Sequence, residues 1–282
     1  MEISDYQLLD AGDQLKLERL GPYRVIRQAA QAFWPKNLPP NIWREVDAVH
    51  HRSTSGGGHW EFLRKLPASW QIRCGELVFK VKLTDFGHIG LFPEQRENWS
   101  WIRQQCGDGG PRVLNLFGYS GGSTLAAALA GAQVTHVDAS KGVVTWAREN
   151  LRLNGGEDLP VRWIVEDVAK YINREQTRGS TYQGLILDPP TYGRGPKGQT
   201  WRIETDLIPL LHGLKSLMER PRFVLLSCHT PGYSPICLKN ILYSVFGFPP
   251  VEMKAGEMVV PIGESPLPSG THVRWSSRSN DS

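Results

Sequence analysis

The rhythm of apolar and polar positions changes near residue 111. Downstream of it, short apolar runs alternate with longer amphipathic ones. Arg112–Phe117 predicts an apolar strand, Gly118–Gly122 a glycine loop and Ser123–Ala132 an alanine-rich helix. A second strand over Gln133–Val137 follows, and Ser140 has the chemistry of an N-cap for a helix running to about Leu153. Val161–Val165 predicts strand three, Val168–Glu175 a helix, and Gly184–Leu187 strand four. A helix over Ile203–Glu219 and a strand over Arg222–Ser227 continue the series; Pro250–Trp275 reads as two strands around a Pro/Gly-rich turn. Strands and helices alternating in this way predict an α/β fold: a doubly wound, mostly parallel sheet with right-handed crossovers and an antiparallel C-terminal hairpin.

Upstream the texture is different. Six of the ten tryptophans (Trp34, Trp43, Trp60, Trp70, Trp99, Trp101) fall here. Strand-like runs such as Tyr23–Ile26 and Glu76–Leu83 are separated by turn residues, including Gly56-Gly57-Gly58. The expected organisation is a small β-rich domain over 1–85, a connecting hairpin and helix over 86–110, the α/β domain over 111–275 and a frayed tail over 276–282.

Composition narrows the classes. An apolar fraction of 40% supports a packed core, and no run approaches the roughly 18 apolar residues of a membrane span. Four cysteines without paired spacing exclude a disulfide scaffold. The opening MEISDYQLLDAGDQ has no apolar stretch, so a cytoplasmic location is expected. The net charge of +4 comes without a dense Lys/Arg run, so it permits a polyanionic partner without requiring one. His50, His51 and His59 lack ligand spacing, and no metal is expected. The oligomeric state is left open, a homo-oligomer included.

The chemistry concentrates at predicted strand ends. In VLNLFGYSGGSTLAAALAGAQVTHVD a strand runs into a loop with Gly118, Gly121 and Gly122, and the next strand ends at Asp138. Glycines let backbone approach a ligand closely, and an acid at the second strand's tip can accept both ribose hydroxyls. The loop does not spell G-x-G-x-x-G, which favours a nucleoside ligand without a pyrophosphate over a dinucleotide. Asp167 follows strand three, where it can receive an adenine amino group or cap the next helix. Asp188-Pro189-Pro190 follows strand four as a rigid turn whose carboxylate and carbonyls can accept from a planar substrate. In an open parallel sheet all three acids fall on the ligand-binding edge.

Together LNLFGYSGG, VDAS, EDV and DPPTYGRG resemble the class I S-adenosylmethionine-dependent methyltransferases, and within them the bacterial 23S ribosomal RNA large-subunit methyltransferases of the I and K/L type. GHIGLFPEQREN upstream extends the resemblance, which covers roughly residues 76–275. It implies S-adenosylmethionine as cofactor, with Phe117, Gly118 and Tyr119 around its methionine part, Asp138 on the ribose and Asp167 on the adenine. It also implies that Asp188 faces both cofactor and target base, and that Gln95 and Arg96 line the cofactor mouth. RNA, in particular ribosomal RNA, is the implied partner. Two departures stand out: residues 1–75 differ from the RNA-binding module of the I-type enzymes, and Thr191 occupies the place after the prolines where base-amino methyltransferases usually carry an aromatic residue. Tyr192, one position on, can stack on a base or pack in the core.

Cys228, at the end of the fifth strand, has two readings. A cytosine-C5 methyltransferase needs a thiolate to add to C6 of the base, and Cys228 beside Asp188 would supply it. Alternatively it is a small buried side chain, as most cysteines are, and the target is guanine N7 or another atom that needs no covalent adduct. The segment 192–202, with three basic residues, Tyr192 and Trp201, reads as a surface for single-stranded RNA or as an active-site lid. A dinucleotide-dependent oxidoreductase and a non-catalytic RNA-binding factor are the alternatives of other classes.

Overall fold

The computed structural model describes residues 5–53, 56–107, 109–195, 198 and 200–277. The chain divides into two units, Met1–Arg96 with Val259–Ser269 and Glu97–Met258 with Gly270–Ser282.

The first unit is built on hairpins. Strands β1 (Tyr6–Gly12), β2 (Leu15–Leu20) and β3 (Tyr23–Gln28) pair antiparallel. Asp13 and Gln14 join β1 to β2 with φ of 51° and 61°. That is the two-residue turn whose twist matches its strands, here made by residues other than the usual Asn-Gly. The short helix α1 (Pro40–Arg44) precedes β4 (Ala48–Arg52), which lies parallel to β3 and pairs antiparallel with β5 (Gly58–Phe62). The five strands form one sheet in sequence order. Asp10 ties the segment before β4 to β1: it accepts N–H bonds from Leu38 at 2.7 Å, Asn37 at 3.0 Å and the Trp43 indole at 2.9 Å. Strands β6 (Trp70–Cys74) and β7 (Leu77–Val81) make a separate hairpin. The connecting hairpin expected after residue 85 is a turn, with backbone bonds Lys82 N–H to Ile89 O and Thr84 N–H to His88 O, followed by a 3₁₀ turn at Pro93–Gln95.

Helix α2 (Arg96–Cys106) leads into the alternating part of the chain. Its elements are β8 (Arg112–Leu116), α3 (Gly122–Leu129), β9 (Gln133–Asp138), α4 (Lys141–Leu153), β10 (Val161–Val165), α5 (Val168–Thr177) and β11 (Gly184–Leu187). A small hairpin, β12 (Tyr192–Arg194) and β13 (Thr200–Arg202), then precedes α6 (Ile203–Lys215), β14 (Phe223–Cys228), α7 (Pro235–Phe246), β15 (Met253–Val260) and β16 (Leu267–Ser276). The sheet order is β10-β9-β8-β11-β14-β16-β15. The first five strands are parallel and β16 opposes β14. The predicted doubly wound sheet with a β-rich amino-terminal region is therefore the observed one.

Every residue of β11 and β14 is buried. Helices cover both faces of such strands, so continuous apolar runs rather than alternation mark them in sequence. Leu114, Leu116, Leu185, Leu187, Val224 and Leu226 meet α5, α6 and α7 in one core. Caps set the helix ends: the Ser140 side chain accepts the Val143 N–H in α4, and Ser234, followed by Pro235, accepts from Cys237 in α7. Helix α7 ends on Gly247 at φ 78°. Strand β16 reaches Ser276, so the expected tail begins later than 276, and its last five positions lie outside the described residues.

Candidate active site

From β8 the chain winds to β9 and β10 on one side and then crosses back to β11 on the other side of β8, so the winding reverses between β8 and β11 and leaves a crevice at their carboxyl ends. Phe117 and Asp188 are the first residues beyond these two strands, while Asp138 ends β9 level with Val165 of β10. Neighbouring strands lie about 4.8 Å apart, so the three acidic strand ends span roughly 15 Å along one edge.

The loop between β8 and α3 is tightly held. Phe117 and Tyr119 adopt left-handed backbone, φ 56° and 46°, which costs of order 1–3 kcal/mol per residue outside glycine. Backbone bonds pin it: Gly118 N–H donates to Val137 O at 3.1 Å, and Gly121 N–H to Gly118 O at 3.0 Å. Asp138 completes the fixation, one carboxylate oxygen accepting the Tyr119 N–H at 3.1 Å and the other the Ser140 N–H at 2.9 Å. Burial pushes the Asp138 carboxyl up, and the N–H groups of Ser140, Tyr119 and Ala139 pull against it. Of the roughly four acceptor sites on a carboxylate, these N–H groups leave room for a further hydroxyl donor. Gly122 opens α3 against Trp99, whose ring would stand 2.7 Å from a Cβ placed there.

Asp167 is the N-cap of α5, accepting the Lys170 N–H at 3.1 Å. The capping alternative is thus realised, and it occupies only one of the two oxygens. Asp188 faces His229 across the gap between β11 and β14, with Oδ1 3.2 Å from Nδ1. Two further contacts stitch the same rim: Thr191 and Thr230 hydroxyls meet at 2.7 Å, and the Trp201 indole N–H donates to Pro190 O at 2.7 Å. The Pro190 carbonyl, expected as an acceptor for a substrate, already takes this one bond within the chain. Pro189 is buried. The Trp201 ring also packs on Phe117, centroids 4.8 Å apart, so it touches the loop after β8 and the Asp-Pro-Pro turn together. The sequence showed Trp201 only as one aromatic in a basic segment; its wedge position depends on the β12–β13 register.

Tyr192 is 49% exposed, which removes the core-packing alternative, and its hydroxyl accepts from Arg194 Nε at 2.8 Å. Pro196, Lys197 and Gln199 of the proposed RNA-facing segment lie outside the described residues. Cys228 has the surroundings of a core thiol. It is 1% exposed within the main hydrophobic cluster, accepts the Thr230 N–H at 3.4 Å, and burial pushes its thiol up. A nucleophilic cysteine needs the opposite: access and a lowered pKa. Gln95 is buried in the first unit, and Arg96 lies over the β6–β7 turn, its Nε 3.1 Å from a Cβ built on Gly75. Their place at the cofactor mouth is carried by the resemblance alone. Among the described residues there is no cluster of three or more metal-ligating side chains, and no helix is long and apolar enough to cross a membrane.

The sequence profile of the S-adenosylmethionine-dependent methyltransferases matches residues 45–238. The chain belongs to this family. A crystal structure of the SAM-dependent methyltransferase from Agrobacterium tumefaciens is 35% identical, with a TM-score of 0.89 over 97% of this chain and 91% of that one. A Streptococcus mutans structure at 17% identity and TM-score 0.76, covering 97% of this chain and 75% of that one, shares the fold. The ribosomal RNA large subunit methyltransferase K/L of Syntrophotalea carbinolica is 33% identical over 150 residues, 53% of this chain and 20% of that protein. The Vibrio cholerae protein of the same name is 31% identical over 165 residues, 58% of this chain and 23% of its own. The chain thus spans about a fifth of the length of these curated relatives. In this member of the family the strand-end edge carries backbone at Gly118, the Asp138 carboxylate and the capping acid Asp167, groups of the kind a nucleoside ligand uses.

Proposed function

We propose that this methyltransferase modifies a base nitrogen of RNA, guanine in first place, without a covalent enzyme–base adduct. The observation that carries the reading is the pairing of an accessible acid, Asp188, with a thiol, Cys228, that is buried beside it. Support for an RNA target comes from the names of the K/L relatives. In this reading Asp138 holds the ribose hydroxyls, the Phe117–Gly121 loop the methionine portion, and Asp167 the adenine amino group through its non-capping oxygen.

When bound, S-adenosylmethionine supplies an electrophilic methyl group on a sulfonium whose leaving form is a neutral thioether. The chain's own task is alignment and exclusion of water. Asp188 accepts N–H groups of the target base, with His229 Nδ1 3.2 Å from its Oδ1. Guanine N7 already bears a lone pair, so no base is needed to uncover it. Tyr192 offers an exposed ring for stacking, and Arg194 beside it a charge for phosphate. A base within a helix has to be flipped out to reach this edge.

The test is incubation with methyl-labelled S-adenosylmethionine and RNA from a strain lacking the gene, followed by nucleoside mass spectrometry. Labelled methylguanosine is expected, and Asp188→Asn should lower the rate about a hundredfold. Label in 5-methylcytidine, lost in Cys228→Ala, would overturn the non-covalent reading; label in no RNA nucleoside would overturn the RNA target.

A further inference from the structure

We propose that His136 is a positioning residue for the cofactor: its imidazole, lodged beneath Gly118, holds the Phe117–Gly121 loop in its ligand-receiving path. The proposal rests on the reading of that loop as the cofactor cradle.

His136 sits in the middle of β9, fully buried, level with Asn115 of β8 and Trp163 of β10. A Cβ built on Gly118 would stand 2.4 Å from its Cε1, 2.5 Å from Nδ1 and 3.0 Å from Nε2. The edge of the ring therefore lies directly under the Gly118 backbone. Gly118 itself is not left-handed, whereas its non-glycine neighbours Phe117 and Tyr119 are. Backbone torsion gives no reason for a glycine at this position; contact with the imidazole does. A Cβ there would point into the interior, away from any ligand above the loop.

The ring is anchored from behind. Asn115 Nδ2 donates to Thr124 Oγ1 at 2.8 Å, and Thr124 Oγ1 lies 2.9 Å from His136 Nδ1. The threonine hydroxyl accepts from Asn115 and has both its hydrogen and a second lone pair available to Nδ1, so the ring is anchored in either neutral tautomer. The Trp163 ring closes the far side, centroids 4.9 Å apart. A rigid planar group thus transmits the position of two strands and α3 to the underside of the loop. Strained backbone persists only where its surroundings over-determine it, and His136 supplies the floor that Phe117 and Tyr119 require.

His136→Asn separates positioning from mere packing. Its side-chain oxygen can still accept from Thr124, but the ring edge under Gly118 is gone. By titration calorimetry with S-adenosylhomocysteine, the expected loss of affinity is about tenfold. Gly118→Ala should weaken binding by a similar factor, because its Cβ collides with the ring. The double variant Gly118→Ala/His136→Asn should regain most of that loss, since the methyl group fills the vacated space. Wild-type affinity in His136→Asn, or strictly additive losses in the double variant, would overturn the proposal. Asp138→Ala distinguishes the two readings: if it too binds like wild type, the cradle itself is misplaced. If His136→Asn does not fold, ¹⁵N-histidine NMR of the wild-type protein decides. Its ring signals are expected to shift on addition of S-adenosylhomocysteine; ring signals indifferent to the ligand would overturn the proposal.

Discussion

In the amino-terminal unit a carboxylate and a guanidinium share an apolar interior, whereas the sheet of the second unit buries imidazoles that carry no charge. Glu18 is fully buried and receives Arg27 through two bonds of 2.6 and 2.7 Å, the Tyr6 hydroxyl at 2.9 Å, and Lys16 at 3.5 Å. Burial by itself would raise its carboxyl, but Arg27 and Lys16 outweigh that and hold it down to about 2. His136 and His272 have no carboxylate partner among the described contacts; burial takes them down to about 3 and about 4. The two clusters thus solve desolvation in opposite ways. The Glu18 cluster keeps its charges and pairs them, as Glu175 does in the second unit with Arg178 at 3.0 Å and Arg162 at 3.5 Å; the buried histidines give up their charge instead.

The largest expected effect breaks the paired side of this contrast. Among the described contacts, Glu18→Ala leaves buried Arg27 with the Gly87 carbonyl bond at 2.9 Å, and stranding a buried charge costs about 3–5 kcal/mol. Urea unfolding should show that loss, and replacing Glu18 and Arg27 together by apolar residues should recover much of it. A loss below about 1 kcal/mol in the single variant would mean that water already reaches Arg27.

Acid sharpens the contrast, because the two strategies fail in different windows. The histidines have folded values below the unfolded 6.5, so the unfolded chain takes up protons first. Their stability is complete above pH 6.5 and is lost as pH falls toward 4 and 3. Between pH 6.5 and 4.5 this amounts to roughly 2–3 kcal/mol for each histidine. Glu18, held to about 2 against an ordinary 4.5, contributes its stability down to pH 4.5 and loses it below. Chemical unfolding across pH should therefore show a loss above pH 4.5 that flattens in His136→Asn. An unchanged slope in that variant would mean the imidazole is already charged when folded.

The fold of the second unit was legible because its signals are local: apolar runs at β8, β10, β11 and β14, a serine cap at α4, and acids placed directly after strands. The first unit hid its architecture in pairings. The Asp13-Gln14 turn carries no glycine, and the parallel contact of β3 with β4 spans a long connection that no local pattern announces. At the site, strand-end acids were readable from spacing, while Trp201 on Pro190, His229 on Asp188 and His136 under Gly118 were not. Each of these is a contact between distant elements, fixed by sheet register rather than by neighbours in sequence. Cys228 had two readings in sequence for the same reason: its position in the chain marks a strand end, but only packing decides whether the thiol faces ligand or core.

Asp138 lies between the two strategies, a carboxylate raised by burial yet held by backbone N–H groups. Asp138→Ala removes charged acceptors worth about 1.5–3 kcal/mol, so affinity for S-adenosylhomocysteine should fall roughly ten- to hundredfold by calorimetry. Asp138→Asn should fall less, since it can still accept one N–H. Equal losses in the two variants would show that charge, rather than acceptor geometry, is what the cofactor reads.

The smallest effect is expected at Cys228, and it tests whether the neutral strategy extends to the rim of the site. The thiol is buried among the side chains of the main core, with the Thr230 N–H as its polar contact at 3.4 Å and burial holding it protonated. Cys228→Ala removes one sulfur from a packed position, leaving a small cavity and one weakened N–H contact, for a cost of about 1 kcal/mol. Its methyl-transfer rate should stay within about twofold of wild type, because less than half a kcal/mol of barrier separates the two. Cys228→Ser should be the less stable variant, since a hydroxyl asks more of that apolar pocket than a thiol does. A nucleophile would reverse this pattern, with full stability and no turnover in the alanine variant and, in the wild-type enzyme alone, a trapped complex on RNA carrying 5-fluorocytosine. Stability and rate measured on the same two variants therefore separate a core thiol from a catalytic one.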